Sequence, residues 1–135
     1  MATIIARRAL DAVLAHAEET SPSECCGVLL GDGDRILFAV RARNIDADRN
    51  RRFLIDPSDH IDARRSARRE GLDVVGFYHS HPASGAYPSP ADIAESSYPD
   101  AVSLIAGMKA GRFEARLFRL RNAGVEELMF DVADA

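Results

Sequence analysis

The run LDVVGFYHSHP, residues 72–82, constrains this chain more than any other stretch. Its valines and aromatics favour the pleated surface of a sheet, and so continuous an apolar segment reads as a buried strand. A buried strand is a rigid base, and this one ends in two histidines separated by one residue. A period of two sends His79 and His81 to the same face, with Cα atoms roughly 6.6 Å apart, and Ser80 to the other. The fold must therefore enclose this strand and still leave its polar end accessible.

The remaining segments supply that enclosure. From Thr3 to about Glu19, Ile5, Ala9, Val13 and Ala17 recur at helical spacing, widened by Leu10 and Leu14, which predicts an amphipathic helix. CGVLLG, the turn signal GDGD and RILFAVRAR predict a β-hairpin. RRFLIDP offers a short strand before Pro57. Asp56-Pro57-Ser58-Asp59 has the form of a helix start, and Gly71 is placed to stop that helix after about Glu70. Ser89-Pro90-Ala91-Asp92 opens a further short helix. AVSLIAGM, FEARLFRLR and VEELMFDV read as the last strands. Three helices interspersed with these strands predict an α+β (α-β-α) arrangement around one mixed sheet.

At 135 residues the chain has the length of a single domain, 1–135. That size buries roughly two thirds of the unfolded surface, so a metal is not needed merely to fold and is free to be catalytic. The net charge of −4 gives no electrostatic reason for binding nucleic acid. Arginine clusters at 49–52 and 64–69 leave both a solvated surface and a dock for an acidic partner open. The two cysteines are adjacent, Cys25 and Cys26, and cannot staple distant segments, which fits a reducing compartment. With no signal-peptide pattern and no stretch of membrane-spanning length, the cytoplasm is the expected location.

Two imidazoles on one strand face can converge on one ion, whose Zn–N bonds are about 2.0–2.1 Å, although such pairs also occur as ordinary hydrogen-bonded histidines. Asp92 is the candidate third ligand. It also sits where an acid stabilises a helix start, and Ser89 three residues earlier is a good cap. Two histidines and one carboxylate would leave a fourth position for water, the layout of a catalytic site rather than a structural one. The chain has no HExxH, so a base must come from elsewhere, and Glu24, directly before an apolar run, is a candidate. Its competing reading is a capping acid answering Ser21. Asp46, Asp48 and Asn50 briefly mimic a calcium loop, but Arg51 replaces the needed glycine and Pro57 the closing glutamate. A cysteine nucleophile is disfavoured, because Cys26 opens a core strand and neither thiol has an evident base.

Taken together, PSECCGVLLG, VVGFYHSHP and Ser89-Pro90-Ala91-Asp92 resemble the JAMM/MPN+ metalloprotease family, whose signature is an upstream Glu, then His-x-His-Pro, six residues, and Ser-x-x-Asp. The resemblance spans roughly residues 4–120. It implies an MPN/JAMM-like, cytidine-deaminase-like mixed sheet flanked by helices. It also implies Zn2+ held by His79, His81 and Asp92, water activated by Glu24, and an oxyanion assisted by Ser89.

The chain is short and resembles the compact prokaryotic members of the family. That resemblance implies hydrolysis after the C-terminal Gly-Gly of a small ubiquitin-fold or sulfur-carrier protein, where release of a C-terminal cysteine can complete cysteine synthesis. A diglycine tail has no side chains and can lie extended beside a strand, with Tyr87 and the 83–88 loop as cleft walls. Removal of a carrier from protein lysines, and a metal-stabilised binding module without turnover, stay open as alternatives, as does a homodimer. Neither a nucleic acid nor a membrane is expected as partner.

Overall fold

In the computed structural model, which describes residues 2–94, 96, 98–121 and 124–134, eight strands form one mixed sheet. The elements in chain order are β1 (Thr3–Ala6), α1 (Arg7–Thr20), β2 (Cys26–Asp32), β3 (Arg35–Ala42), α2 (Pro57–Arg69), β4 (Asp73–His81), α3 (Pro90–Ala94), β5 (Val102–Lys109), β6 (Arg112–Arg121), β7 (Gly124–Leu128) and β8 (Phe130–Ala133). Across the sheet the order is β7-β6-β5-β4-β2-β3-β1-β8. The strand carrying the two histidines is thus central, antiparallel to β2 and parallel to β5.

The two ends of that order belong to consecutive strands. Only Met129 separates β7 from β8, so the sheet must curl until its two edges meet at one corner. The curl wraps α1, which packs against β1, β3, β4, β5, β6 and β8. Ala9, Val13 and Ala17 on its inner stripe join Ile5, Leu29, Tyr78, Leu104 and Leu117 in the main core. Small residues at 9 and 17 let the helix approach a concave surface closely. Burying each large aliphatic side chain there contributes about 1.5–3 kcal/mol.

The outer face of the sheet is covered in two pieces. α2 lays Ala63 and Ala67 over Val28, Leu30, Val74 and Phe77. Further along, Ala86 of the 83–88 segment covers Ile105, Phe118 and Leu120. The histidine end of β4 lies between these two clusters. A bulge brings it to this face: Val75 is the extra residue where β4 shifts register against β2. Val74 and Phe77 therefore share the α2 side, while Val75 packs with the α1 core. Strict alternation would have put Val74 and His79 on opposite faces.

Three local expectations change. Thr3–Ala6 is a strand rather than the first turn of a helix, because its β-branched residues pair in parallel with both β3 and β8. The 51–57 segment forms no strand; its one ladder contact is an isolated bridge between Asn44 and Ile55, and Leu54 is exposed. VEELMFDV is two strands, broken at Met129, that lie at opposite edges of the sheet. The α2 start follows the expected pattern, with Asp56 accepting from the Ser58 N–H at 2.9 Å and Gly71 at φ +70° beyond its end. Asp59, however, turns from the helix amides to the backbone N–H and guanidinium of Arg43.

Candidate metal centre

β4 delivers His79 and His81 to the outer face, both buried, and points Ser80 inward. Ser80 then performs a second task. Its Oγ accepts from the Cys25 N–H at 2.8 Å, and its own N–H donates to the Cys25 carbonyl at 3.1 Å. Those bonds extend the β2–β4 pairing one residue past Cys26, which faces His79. The next residue, Glu24, consequently sits level with His81. Its N–H donates to the Arg49 carbonyl at 2.7 Å, and its carbonyl accepts from Asn44 Nδ2 at 3.0 Å. No helix starts here, so the capping role for Glu24 falls away; the residue is buried and its backbone is held on both sides.

The opposite wall comes from the crossover between the parallel strands β4 and β5. Ser89 caps α3: the Asp92 N–H donates to Ser89 Oγ at 3.1 Å, while Asp92 Oδ2 accepts from the Ser89 N–H at 2.8 Å. The same Oδ2 lies 3.0 Å from His79 Nε2 and 3.1 Å from His81 Nε2, and the two Nε2 atoms are 3.1 Å apart. The capping function of Asp92 and its approach to the histidines are therefore compatible, and the cap fixes the direction of the carboxylate. Gly107 permits the intervening loop: a Cβ there would strike the backbone of Gly85 and Ala86, which cross over it.

Two nitrogens and one oxygen thus form a nearly equilateral triangle. Ligands on a tetrahedral zinc with bonds of about 2.0–2.1 Å stand roughly 3.3 Å apart, so these donors fit such an ion with small adjustment. The Glu24 carboxylate lies within 4.8 Å of both histidine donors, completing a Glu-His-His group able to hold a metal. The tautomer of His81 also suits ligation. Its Nδ1 donates to the Gly85 carbonyl at 3.0 Å, so the neutral ring would carry its lone pair on Nε2, the atom that faces the triangle. His79 is held by a different device, a stacked Phe53 ring with centroids 4.3 Å apart.

The electrostatics are those of a buried charged cluster. Burial raises the Glu24 pKa to about 7, against the opposing charge of His81 and with help from Asp92, Asp46 and Asp48. Burial also acts to raise Asp92, but hydrogen bonds from His79 and His81 outweigh it and hold the carboxylate well below its ordinary range. Burial lowers His79. In His81 burial is overcome by the Asp92 and Gly85 hydrogen bonds, and the pKa rises.

Beside His79 and Asp92 a cavity of about 290 Å³ opens toward Phe77 and Tyr98. Across the loop, Tyr87 is half exposed and packs edge-on against Phe118. Ser80, Asn44 and Phe53 were not singled out in the sequence as supports of the site. Asn44 carried a signal, since its Oδ1 accepts from Asp46 two residues on, an Asx turn legible in Asn-Ile-Asp. Phe53 carried none.

A family profile described as prokaryotic homologs of the JAB domain matches residues 6–121. The chain is 35% identical over 132 residues to a desampylase of Haloferax volcanii, covering 90% of this chain and 95% of that one. It is 32% identical over 129 residues to a CysO-cysteine peptidase of Mycobacterium tuberculosis, covering 93% and 87%. A protein from Desulfitobacterium hafniense, solved in solution, superposes with a TM-score of 0.87 at 28% identity over 98% of this chain and 94% of that one.

Proposed function

The chain belongs to the JAMM/MPN-domain family as one of the prokaryotic homologs of the JAB domain, and from that membership we propose that it is a zinc-dependent peptidase. In this proposal it hydrolyses the amide bond after the C-terminal Gly-Gly of a small ubiquitin-fold carrier. The observation that carries it is the 3.0–3.1 Å triangle of His79, His81 and Asp92 donors with a buried Glu24 carboxyl alongside.

In this reading His79, His81 and Asp92 hold zinc, which supplies Lewis acidity and a water that ionises near neutral pH. Glu24 takes a proton from the attacking water and hands it to the departing amine. Burial suits it to both roles, because a carboxyl raised to about 7 holds and releases a proton near neutrality. Ser89 Oγ already accepts from the Asp92 N–H, so its O–H is the donor left for the carbonyl oxygen of the scissile bond. His81, locked through Gly85, and His79, clamped by Phe53, keep the constellation from relaxing between turnovers.

The chain acts as one catalytic domain, 1–135, in the cytoplasm, where its two buried free thiols suit a reducing medium. The Mycobacterium relative's name supports cysteine as a leaving group. Two substrates test the reading: a carrier ending in Gly-Gly joined to cysteine, and the same carrier joined to a protein lysine. Zinc-dependent cleavage of the cysteine adduct, read by mass spectrometry and abolished by Glu24→Gln, is the expected result. Faster release from lysine would make it a deconjugating isopeptidase. Stoichiometric zinc with no cleavage of either would make it a binding module and overturn the proposal.

A further inference from the structure

The cavity beside His79 and Asp92 has no part in the reaction just described. Its walls include Leu54, His60, Phe77, Tyr98, Ser103 and Leu120. The Phe77 and Tyr98 rings stand 5.1 Å apart, and the His60 ring meets them edge-on at 5.1 and 5.9 Å. Arg64 Nη2 lies 3.2 Å from His60 Nε2; arginine can only donate, so this nitrogen accepts and His60 is neutral, with its proton on Nδ1. Among the described residues the walls are thus aromatic and aliphatic with two serines, and the one carboxylate, Asp92, stands at the entrance toward the metal centre.

Its direction from the centre identifies which half of a substrate it can serve. Glu24 follows on from the Cys25–Ser80 pairing and so stands at the His81 end of β4, whereas Phe77 lies two residues before His79 on the same strand. A departing nitrogen must come within reach of the carboxyl that protonates it, so the leaving group lies on the Glu24 side. The acyl half then runs the other way, over His79 toward Phe77. Two extended residues span about 6.6–6.8 Å, the same interval that separates His79 from Phe77 along the strand. A diglycine covers that interval without offering a side chain, and the residue before it arrives at the mouth of the cavity.

We propose that this cavity is the specificity pocket for an apolar side chain immediately preceding the carrier's Gly-Gly. The proposal rests on the peptidase reading above and adds to it the residue the enzyme selects. An acidic residue at that place would lose its hydration among aromatic walls and face Asp92, so it is the side chain the pocket rejects.

The test uses carriers ending in Leu-Gly-Gly, Ala-Gly-Gly or Asp-Gly-Gly, each joined to the same amine. Leu is expected to exceed Ala in kcat/KM by roughly tenfold or more, with Asp lowest. Ser103→Leu, which fills the cavity from β5, is expected to bring the Leu-to-Ala ratio to about one. Leu54→Ala at the exposed rim, a milder change, should reduce the ratio about threefold if the Ser103 variant does not fold. A flat series, or Asp-Gly-Gly cleaved as fast as Leu-Gly-Gly, overturns the pocket. A second measurement separates the two ideas: calorimetric binding of the free carriers to zinc-loaded Glu24→Gln protein. Affinities ordered Leu, Ala, Asp without turnover by the unmutated enzyme would sink the peptidase reading and keep the pocket; equal affinities would sink the pocket alone.

Discussion

Tyr78 and His79 are neighbours in the chain but face opposite sides of β4. Tyr78 is buried under α1, where its Oη lies 2.8 Å from His16 Nδ1 and Gly27 across the strand leaves room for its ring. His79, one residue on, is stacked on Phe53 and gathers with His81 and Asp92 on the outer face. The inner side is continuous packing around a helix; the outer side is interrupted cover, with polar groups held in the gap by caps and backbone bonds. Only the outer side could release these donors without opening the main core. Chemistry and stability are therefore expected to respond separately to mutations on the two faces.

The sharpest way to break that comparison lies at Glu24. Glu24→Gln is expected to reduce kcat by about 10²–10⁴, the usual worth of a general acid–base group, while zinc content and thermal midpoint stay near those of the parent. Chelation should likewise abolish hydrolysis yet leave the far-ultraviolet circular dichroism unchanged, because the α1 core includes none of the donors. A protein that unfolds on chelation would show that the outer face carries stability after all.

Ser89→Ala mixes the two kinds of effect in a calculable proportion. Loss of an oxyanion donor costs about 2.7–4 kcal/mol in kcat, whereas loss of the cap costs about 1 kcal/mol in stability. Equal losses in both would reduce Ser89 to a cap.

On the inner face, Gly27→Ala drives a Cβ into the Tyr78 ring and is expected to destabilise by about 1–3 kcal/mol in urea titration, with kcat per folded molecule little changed. His16 gives a smaller, pH-dependent effect. Burial, then the charge of Arg41, lowers its pKa to about 4 from the ordinary 6.5. The unfolded chain therefore binds the extra proton, and stability falls as pH drops from about 6.5 toward 4. The loss should reach roughly 1 kcal/mol by about pH 5.5 and be absent in His16→Gln; identical slopes in both proteins would remove His16 from the account.

The smallest effect expected is none. Burial pushes the Cys25 and Cys26 thiols up to about 11 and 12, so iodoacetamide near neutral pH should leave both unmodified and activity intact. Rapid alkylation with inactivation would show the wall between the two faces to be open.

Much of the outer face could be read from local patterns. The helix signal Ser89-Pro90-Ala91-Asp92, the Asp56-Pro57 start and the His-x-His strand end each depend on residues within a few positions of one another, and each forms as expected. The strand assignment of Thr3–Ala6 was not legible, because four residues become a strand only when β3 and β8 supply partners from distant sequence. The division of VEELMFDV was hidden for the same reason: nothing in its composition says that its halves pair with opposite edges.

The sequence by itself determined which side chains could act, since donor chemistry belongs to the residue type, and it determined that His79 and His81 share a face, since a strand alternates. Only the tertiary structure decided that Glu24 stands beside them. That depends on Ser80 clasping Cys25 from the opposite face and on a bulge at Val75 that settles which face the histidines join. Both are pairings across tens of residues, where geometry comes from packing of the whole sheet and no local preference can encode it.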